Sequence, residues 1–292
     1  MKSKMRLLWL SGISCNGNAH SFLNYPHLEH FLNHFEFIYH PIIDSHFSLE
    51  DIVKKTILCD ILLIEGAISQ ESIKADTKLT DIINNYAPIV KKIITVGTCA
   101  TFGGIFKEQS FNDTAGLHFL GDKTIKRFEN LKDKTISISG CPIHPEILAE
   151  TLYAIKNEIE PKLDSYLRPK EYFAYTIHNG CTRNEYFEYK IDNHNFGVKE
   201  GCMFYEHGCQ APFTNGSCNK ILWNEINSKT RAGVPCMGCT EPTFPKENLF
   251  STKRNMGIPQ HLPLGVNKRA YLTLAGIAKA FTIDRLENKL ME

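Results

Sequence analysis

The sequence contains no run of the roughly 18 or more consecutive apolar residues that a membrane-spanning helix requires. Its 33 basic side chains are offset by 32 acidic ones, for a net charge of +1. The first absence excludes a helical membrane span, and the second removes the basic footprint that nucleic acid or an anionic membrane surface calls for. Internal repeats and low-complexity tracts are also missing, which excludes repeat architectures. A phosphate-binding P-loop is absent too: G-T-C-A-T-F-G-G at residues 97–104 is glycine-rich but lacks the lysine and serine that complete that motif. The early apolar stretch, Met5 to Leu10, is of strand length and runs into a polar loop, so it does not read as an export signal. A reducing compartment is therefore expected, in which the ten cysteines suit metal better than disulfides.

What is present is a regular alternation. Arg6–Leu10, Phe35–Tyr39, Asp60–Ile64, Lys92–Val96 and Thr135–Ile138 are apolar runs of strand length. Helical stretches are expected between them, one beginning near Ser21 and one capped by Ser48 and running to Leu58. Another is expected from Ile143 to Ile159, closed by Pro161. Strand alternating with helix predicts an α/β fold with a doubly wound parallel sheet. Such sheets bind ligands beyond the carboxyl ends of their strands, and Cys15, Glu65, Cys99 and Cys141 all fall there. Cys59 precedes its strand and is expected at the opposite end as an inert core thiol.

Around Pro169 the chain leaves this pattern. Strand and helix periodicity weaken as far as about Pro245, while Gly, Asn, Cys and Pro become frequent. Cys181 to Cys239 holds six of the ten cysteines, entered by H-N-G-C and left by C-M-G-C. His178, Cys181, Cys202 and Cys209 can supply one four-ligand set, and Cys218, Cys236 and Cys239 a three-ligand set. The stretch reads as a holder for iron-sulfur clusters, whose ligation would supply the order that burial cannot. On spacing alone a structural zinc site stays open, although three cysteines on separate strand ends do not fit a zinc ribbon. His27, His30, His34, His40 and His46 form no metal-binding pattern, and Trp9, Phe102, Phe106 and Trp223 read as core. Residues 262–281 are expected to end in a helix packed back on the α/β part.

The pieces L-W-L-S-G-I-S-C-N-G-N, I-E-G-A-I, V-G-T-C-A-T-F-G-G, S-G-C-P, H-N-G-C, G-C-Q-A-P, C-M-G-C-T-E-P and L-G-V-N-K-R-A-Y-L-T-L occur in that order. In them the chain resembles, over nearly its whole length, the small subunit of nickel-iron hydrogenases. The resemblance implies a flavodoxin-like domain, residues 1–168, with a proximal cluster, and an irregular domain, residues 169–292, with distal and medial clusters and a C-terminal helix. It makes Cys15, Cys99 and Cys141 proximal ligands. The family's first motif is C-x-x-C, however, and here Asn18 stands in place of the second thiolate. The proximal cluster is then a four-iron cluster, or an altered one, with incomplete cysteine ligation, and Glu65, Asn18, His20 or water are candidates for the gap. His178, Cys181, Cys202 and Cys209 would hold a four-iron distal cluster, across a Cys202–Cys209 stretch one residue longer than usual. Cys218, Cys236 and Cys239 would hold a three-iron medial cluster, with Lys229 where the family commonly carries proline.

The implied function is an oxidoreductase subunit that relays electrons, with no catalytic residue of its own. Its implied partners are a large subunit holding the nickel-iron centre and an electron acceptor or donor near the distal cluster, with no nucleic acid. The family's membrane-bound members carry an export signal and a hydrophobic tail. Neither is seen here, so a soluble or peripherally attached cytoplasmic protein is expected. The alternative is a divergent paralogue that senses, assembles or binds without full electron transport.

Overall fold

Successive residues of the apolar runs point to opposite faces of a sheet, so strands that are apolar throughout need cover on both sides. The computed structural model describes residues 3–107, 113–245 and 273. In it β1 (Met5–Ser11), β2 (Phe35–Tyr39), β3 (Ile61–Glu65), β4 (Lys92–Val96) and β5 (Thr135–Ile138) form one parallel sheet in the order β2-β1-β3-β4-β5. This is the flavodoxin-type order of doubly wound sheets, with its topological switch between β1 and β3.

One face, with Leu7, Trp9, Leu63 and Ile94, packs on Phe22 of α1 (Gly17–Leu23), Phe31 of α2 (Leu28–His34) and Leu148 of α6 (Pro145–Lys156). The other, with Leu8, Leu10, Leu62 and Ile64, packs on Ile52 of α3 (Leu49–Lys54) and Ile83 of α4 (Leu79–Tyr86). Each fully buried side chain of this kind contributes about 1.5–3 kcal/mol. Cys59 is buried with the second group, ahead of β3, and burial followed by the Asp60 carboxylate pushes its thiol up to about 12. It behaves as the expected core residue.

Two helices differ from expectation. The first begins at Gly17, because the Ser14 hydroxyl accepts the Asn16 backbone N–H at 2.9 Å and turns the chain early. Asn18 consequently lies in the first turn of α1. Ser48 does cap α3, in a reciprocal arrangement with Asp51, but the helix stops at Lys54. The Tyr86 hydroxyl donates to the Ile52 carbonyl and accepts the Ile57 N–H, replacing the bonds of a further turn.

Register decides where the loops gather. Ser11 is paired with Glu65, Glu65 with Val96 and Val96 with Ile138, so the carboxyl ends of four strands lie in one row. The loops carrying Cys15, Cys99 and Cys141 leave from this row, and α5 (Thr98–Phe102) starts there.

Beyond Pro169 the described helices are short: α7 (Lys170–Phe173), α8 (Asn184–Tyr189) and α9 (Phe204–His207). The apolar clusters are small and include cysteines, with Cys209 and Cys236 beside Ile177 and Met203, and Cys202 beside Phe204. This part is fastened to the sheet by polar contacts. The buried Arg168 guanidinium donates to the Asp164 carboxylate and the Thr240 carbonyl, and the Lys107 ammonium donates to the carbonyls of Pro242 and Phe244. The helix expected within 262–281 lies outside the described residues. Among those described, no helix is long and apolar enough to cross a membrane.

Candidate metal centres

Beyond the carboxyl ends of the strands, the loop after β1 carries Cys15, the first turn of α5 carries Cys99 and the loop after β5 carries Cys141. Burial pushes the Cys99 thiol up to about 11, with Cys15 and Glu65 acting in the same direction. Burial also pushes Cys141 up to about 12, reinforced in turn by Cys239, Cys99 and Cys15. The thiolate is the form that binds metal, so deprotonating such a set calls for a strong positive charge in its midst. The backbone leaves room beside these sulfurs: a Cβ added at Gly104 would sit 2.5 Å from the Cys99 Sγ.

Glu65 closes the floor of this site. Its carboxylate is fully buried and accepts four hydrogen bonds, from the Trp9 indole N–H (3.0 Å), the Ser14 hydroxyl (3.0 Å), the Asn18 backbone N–H (3.1 Å) and the Asn18 Nδ2 (3.3 Å). Asn18 reaches further. Its Nδ2 donates to the Val96 carbonyl at 3.4 Å, and its Oδ1 accepts the Ile143 N–H at 2.9 Å. His20 is exposed on α1.

The second group comprises Cys218, Cys236 and Cys239. Burial raises the Cys218 thiol to about 11; Cys239 adds to the rise, while a hydrogen bond from Trp223 and the charge of Lys229 oppose it. Cys236 is raised well above the usual thiol range by burial and then by Cys209, Cys239 and Cys218. Trp223 reads as core in the sequence, and its contact with Cys218 is one that no local signal could have revealed. The charge of Lys229 also opposes the rise at Cys141.

The third group, His178, Cys181, Cys202 and Cys209, lines one small pocket together with Arg183 and Phe204. The His178 ring meets Phe187 edge-on at 4.6 Å. The longer Cys202–Cys209 stretch is taken up by the single turn α9, closed by Gly208 in the left-handed region. Arg183, another residue that nothing in the sequence singles out, is buried and donates to the carbonyls of Thr230, Glu200, Gly201 and Val198.

The second and third groups touch, the Cys236 N–H donating to the Cys209 Sγ at 3.2 Å, and the first and second are tied through the backbone beside Cys239 and Cys141. Thr98 braces that boundary, its hydroxyl donating to the Cys239 carbonyl while accepting the Gly140 N–H. Thr98→Val leaves two buried backbone groups unpaired, at about 1–3 kcal/mol each. We expect it to lower stability by about 2–4 kcal/mol in a urea titration, with Thr98→Ser close to neutral.

A single zinc ion draws its sulfurs to about 2.3 Å from one point. Among the described residues no three His, Cys, Asp or Glu side chains are gathered tightly enough to hold one ion. Thiolates are the usual ligands of iron-sulfur clusters, and the three donor sets consist of cysteines with one histidine.

The family model for the C-terminal part of the NiFe/NiFeSe hydrogenase small subunit matches residues 173–251. The model for the NADH ubiquinone oxidoreductase 20 Kd subunit matches residues 15–155. The chain belongs to the small subunits of nickel-iron hydrogenases. The periplasmic NiFe hydrogenase small subunit 1 of Nitratidesulfovibrio vulgaris is 34% identical over 193 residues, which cover 63% of this chain and 59% of that protein. The corresponding protein of Solidesulfovibrio fructosivorans is 32% identical, with 58% of its length covered. The chain thus spans under two thirds of these two relatives. The periplasmic NiFeSe hydrogenase small subunit of Desulfomicrobium baculatum is 29% identical over 279 residues, 83% of this chain and 85% of that one. A solved structure of the Desulfomicrobium baculatum NiFeSe hydrogenase superposes with a TM-score of 0.73 at 26% identity, over 86% of this chain and 100% of that chain. Hydrogenase small subunits therefore share both the sheet and the irregular part described here.

Proposed function

We propose that this chain is the electron-transfer subunit of a nickel-iron hydrogenase, and that it holds a proximal, a medial and a distal iron-sulfur cluster. Such clusters, when bound, supply reversible one-electron storage at potentials set by ligands, hydrogen bonds and burial. Cys15, Cys99 and Cys141 would hold the proximal cluster, four-iron or altered. Cys218, Cys236 and Cys239 would hold a three-iron medial cluster, and His178, Cys181, Cys202 and Cys209 a four-iron distal one. The observation that carries the reading is the chain of hydrogen bonds that links the three sulfur groups, Thr98 between the Cys239 carbonyl and the Gly140 N–H beside Cys141, and the Cys236 N–H on the Cys209 Sγ.

The chain's own residues position, insulate and tune. Trp223 hydrogen-bonds to Cys218, and Lys229 and Arg183 bring positive charge to the medial and distal groups, which favours the more negative, reduced state. The neutral His178 imidazole acts in the same direction. Hydrogen itself would be handled on a large partner protein, and electrons would leave or enter near His178. We read residues 1–168 and 169–292 as the two units of this arrangement.

Iron and acid-labile sulfide analysis of the purified heterodimer, with hydrogen-dependent dye reduction, tests the proposal. Clusters and dye reduction together support it. Absence of iron and sulfide from this chain refutes it. A cluster-loaded heterodimer that reduces no dye would favour the sensing, assembly or binding paralogue, to which the replacement at Asn18 already points.

A further inference from the structure

We propose that Asn18 is a positioning residue of the proximal site and not its fourth ligand, so that three protein thiolates hold that cluster and the remaining iron takes its ligand from solution. The inference rests on the cluster reading above. Asn18 stands where a second thiolate would be expected, and an amide could in principle bind iron through its oxygen.

Here the amide is fully committed to protein. Its orientation is fixed by opposite demands, since Oδ1 accepts the Ile143 backbone N–H and Nδ2 donates to the Val96 carbonyl and to Glu65. A reversed amide would set donor against donor and acceptor against acceptor. The oxygen, the one atom of this side chain suited to iron, therefore faces the loop after Cys141.

Glu65 is no freer. Its Oε1 accepts three hydrogen bonds, from the Ser14 hydroxyl and from the backbone N–H and Nδ2 of Asn18, and its Oε2 is turned to the Trp9 indole N–H, so the carboxylate is held in place by protein donors on both oxygens. His20 is exposed on the surface of α1.

Through this one amide Asn18 joins its own loop, which carries Cys15, to the end of the strand leading to Cys99 and to the residue two beyond Cys141. The space was cleared for it. Gly97 has φ +91°, and a Cβ there would lie 2.4 Å from the Asn18 Nδ2. A cysteine at this position could not make the three bonds. The sequence exchanges a ligand for a brace, and the loops are held without a fourth sulfur. Cys15 is exposed on this chain while Asn18 and Glu65 are buried. The ligand class is water or hydroxide, replaceable by cyanide.

The test is pulsed paramagnetic resonance on the reduced heterodimer, in water labelled with magnetic oxygen and with cyanide added separately. The expected result is oxygen hyperfine coupling on one cluster signal and a shift of that same signal by cyanide. Both should vanish in Asn18→Cys, which assigns the signal to the proximal site. The unmodified heterodimer is decisive by itself, so a variant that fails to fold does not protect the proposal. A cluster-loaded heterodimer in which no signal responds to either probe overturns it, whether each iron has a protein ligand or the site holds three irons. Restoration of the response by Glu65→Gln in that case would place Glu65 on the iron. A chain without iron and sulfide fails the functional reading instead, which separates the two failures.

Discussion

Removing iron and sulfide is expected to unfold residues 173–245 while the five-stranded sheet survives. The sheet has two large apolar clusters, one on each face, and its stability comes from them. The irregular part has helices of four and six residues, and isolated helices shorter than about 12–15 residues are marginal in water. Its small apolar clusters count Cys202, Cys209 and Cys236 among their members. Ligation of a cluster there is also folding free energy, as in other small metal-organised domains. Chelation under reducing conditions, followed by hydrogen-exchange mass spectrometry, should show protection lost in 173–245 and retained in β1, β3 and β4. Equal protection in both regions would mean that clusters do not organise this part of the chain.

Arg183→Met is expected to affect both stability and potential. The guanidinium is buried, and among the described residues no carboxylate lies within ion-pair distance of it. It serves four carbonyls drawn from residues 198–201 and 230. Buried carbonyls that lose a charged donor cost about 1–3 kcal/mol each. With some re-pairing to water, a net loss of about 3–5 kcal/mol is expected when the heterodimer is titrated with denaturant. The charge also acts on Cys209. At an effective dielectric near 20, a unit charge at about 4–8 Å is worth about 2–4 kcal/mol. At about 59 mV per tenfold change for one electron, the distal potential should fall by roughly 90–170 mV in a redox titration. Arg183→Lys separates the two effects, since it keeps the charge but loses the planar fork that reaches several carbonyls. A potential equally lowered by Lys would show that geometry, and not charge, tunes the site.

The chain of contacts from Cys141 to Cys209 gives these side chains their setting. Thr98 fixes the first boundary, Asn219 the second group: its Oδ1 accepts hydrogen bonds from Ser228 and Thr230, on either side of Lys229. Lys229 is thus held beside Cys218 by its neighbours' hydroxyls.

Much of the fold is written in local sequence. Apolar runs bounded by polar loops mark β2, β4 and β5 with correct ends, because a strand buried on both faces has to be apolar throughout. The convergence of Cys15, Glu65, Cys99 and Cys141 on one rim follows from parallel strands in register. Helix ends are less legible: α3 ends where the Tyr86 hydroxyl, from another helix, takes up the Ile52 carbonyl.

The sequence by itself determined the strand order's raw material, the cysteine spacing and the side of the sheet on which those cysteines emerge. Only the tertiary structure decided that Asn18 braces three loops, that Arg183 gathers four carbonyls and that Thr98 joins Gly140 to Cys239. Those partners lie 15 to 141 residues away along the chain. A hydrogen bond depends on distance and direction in space, and at such separations neither is encoded in any local pattern.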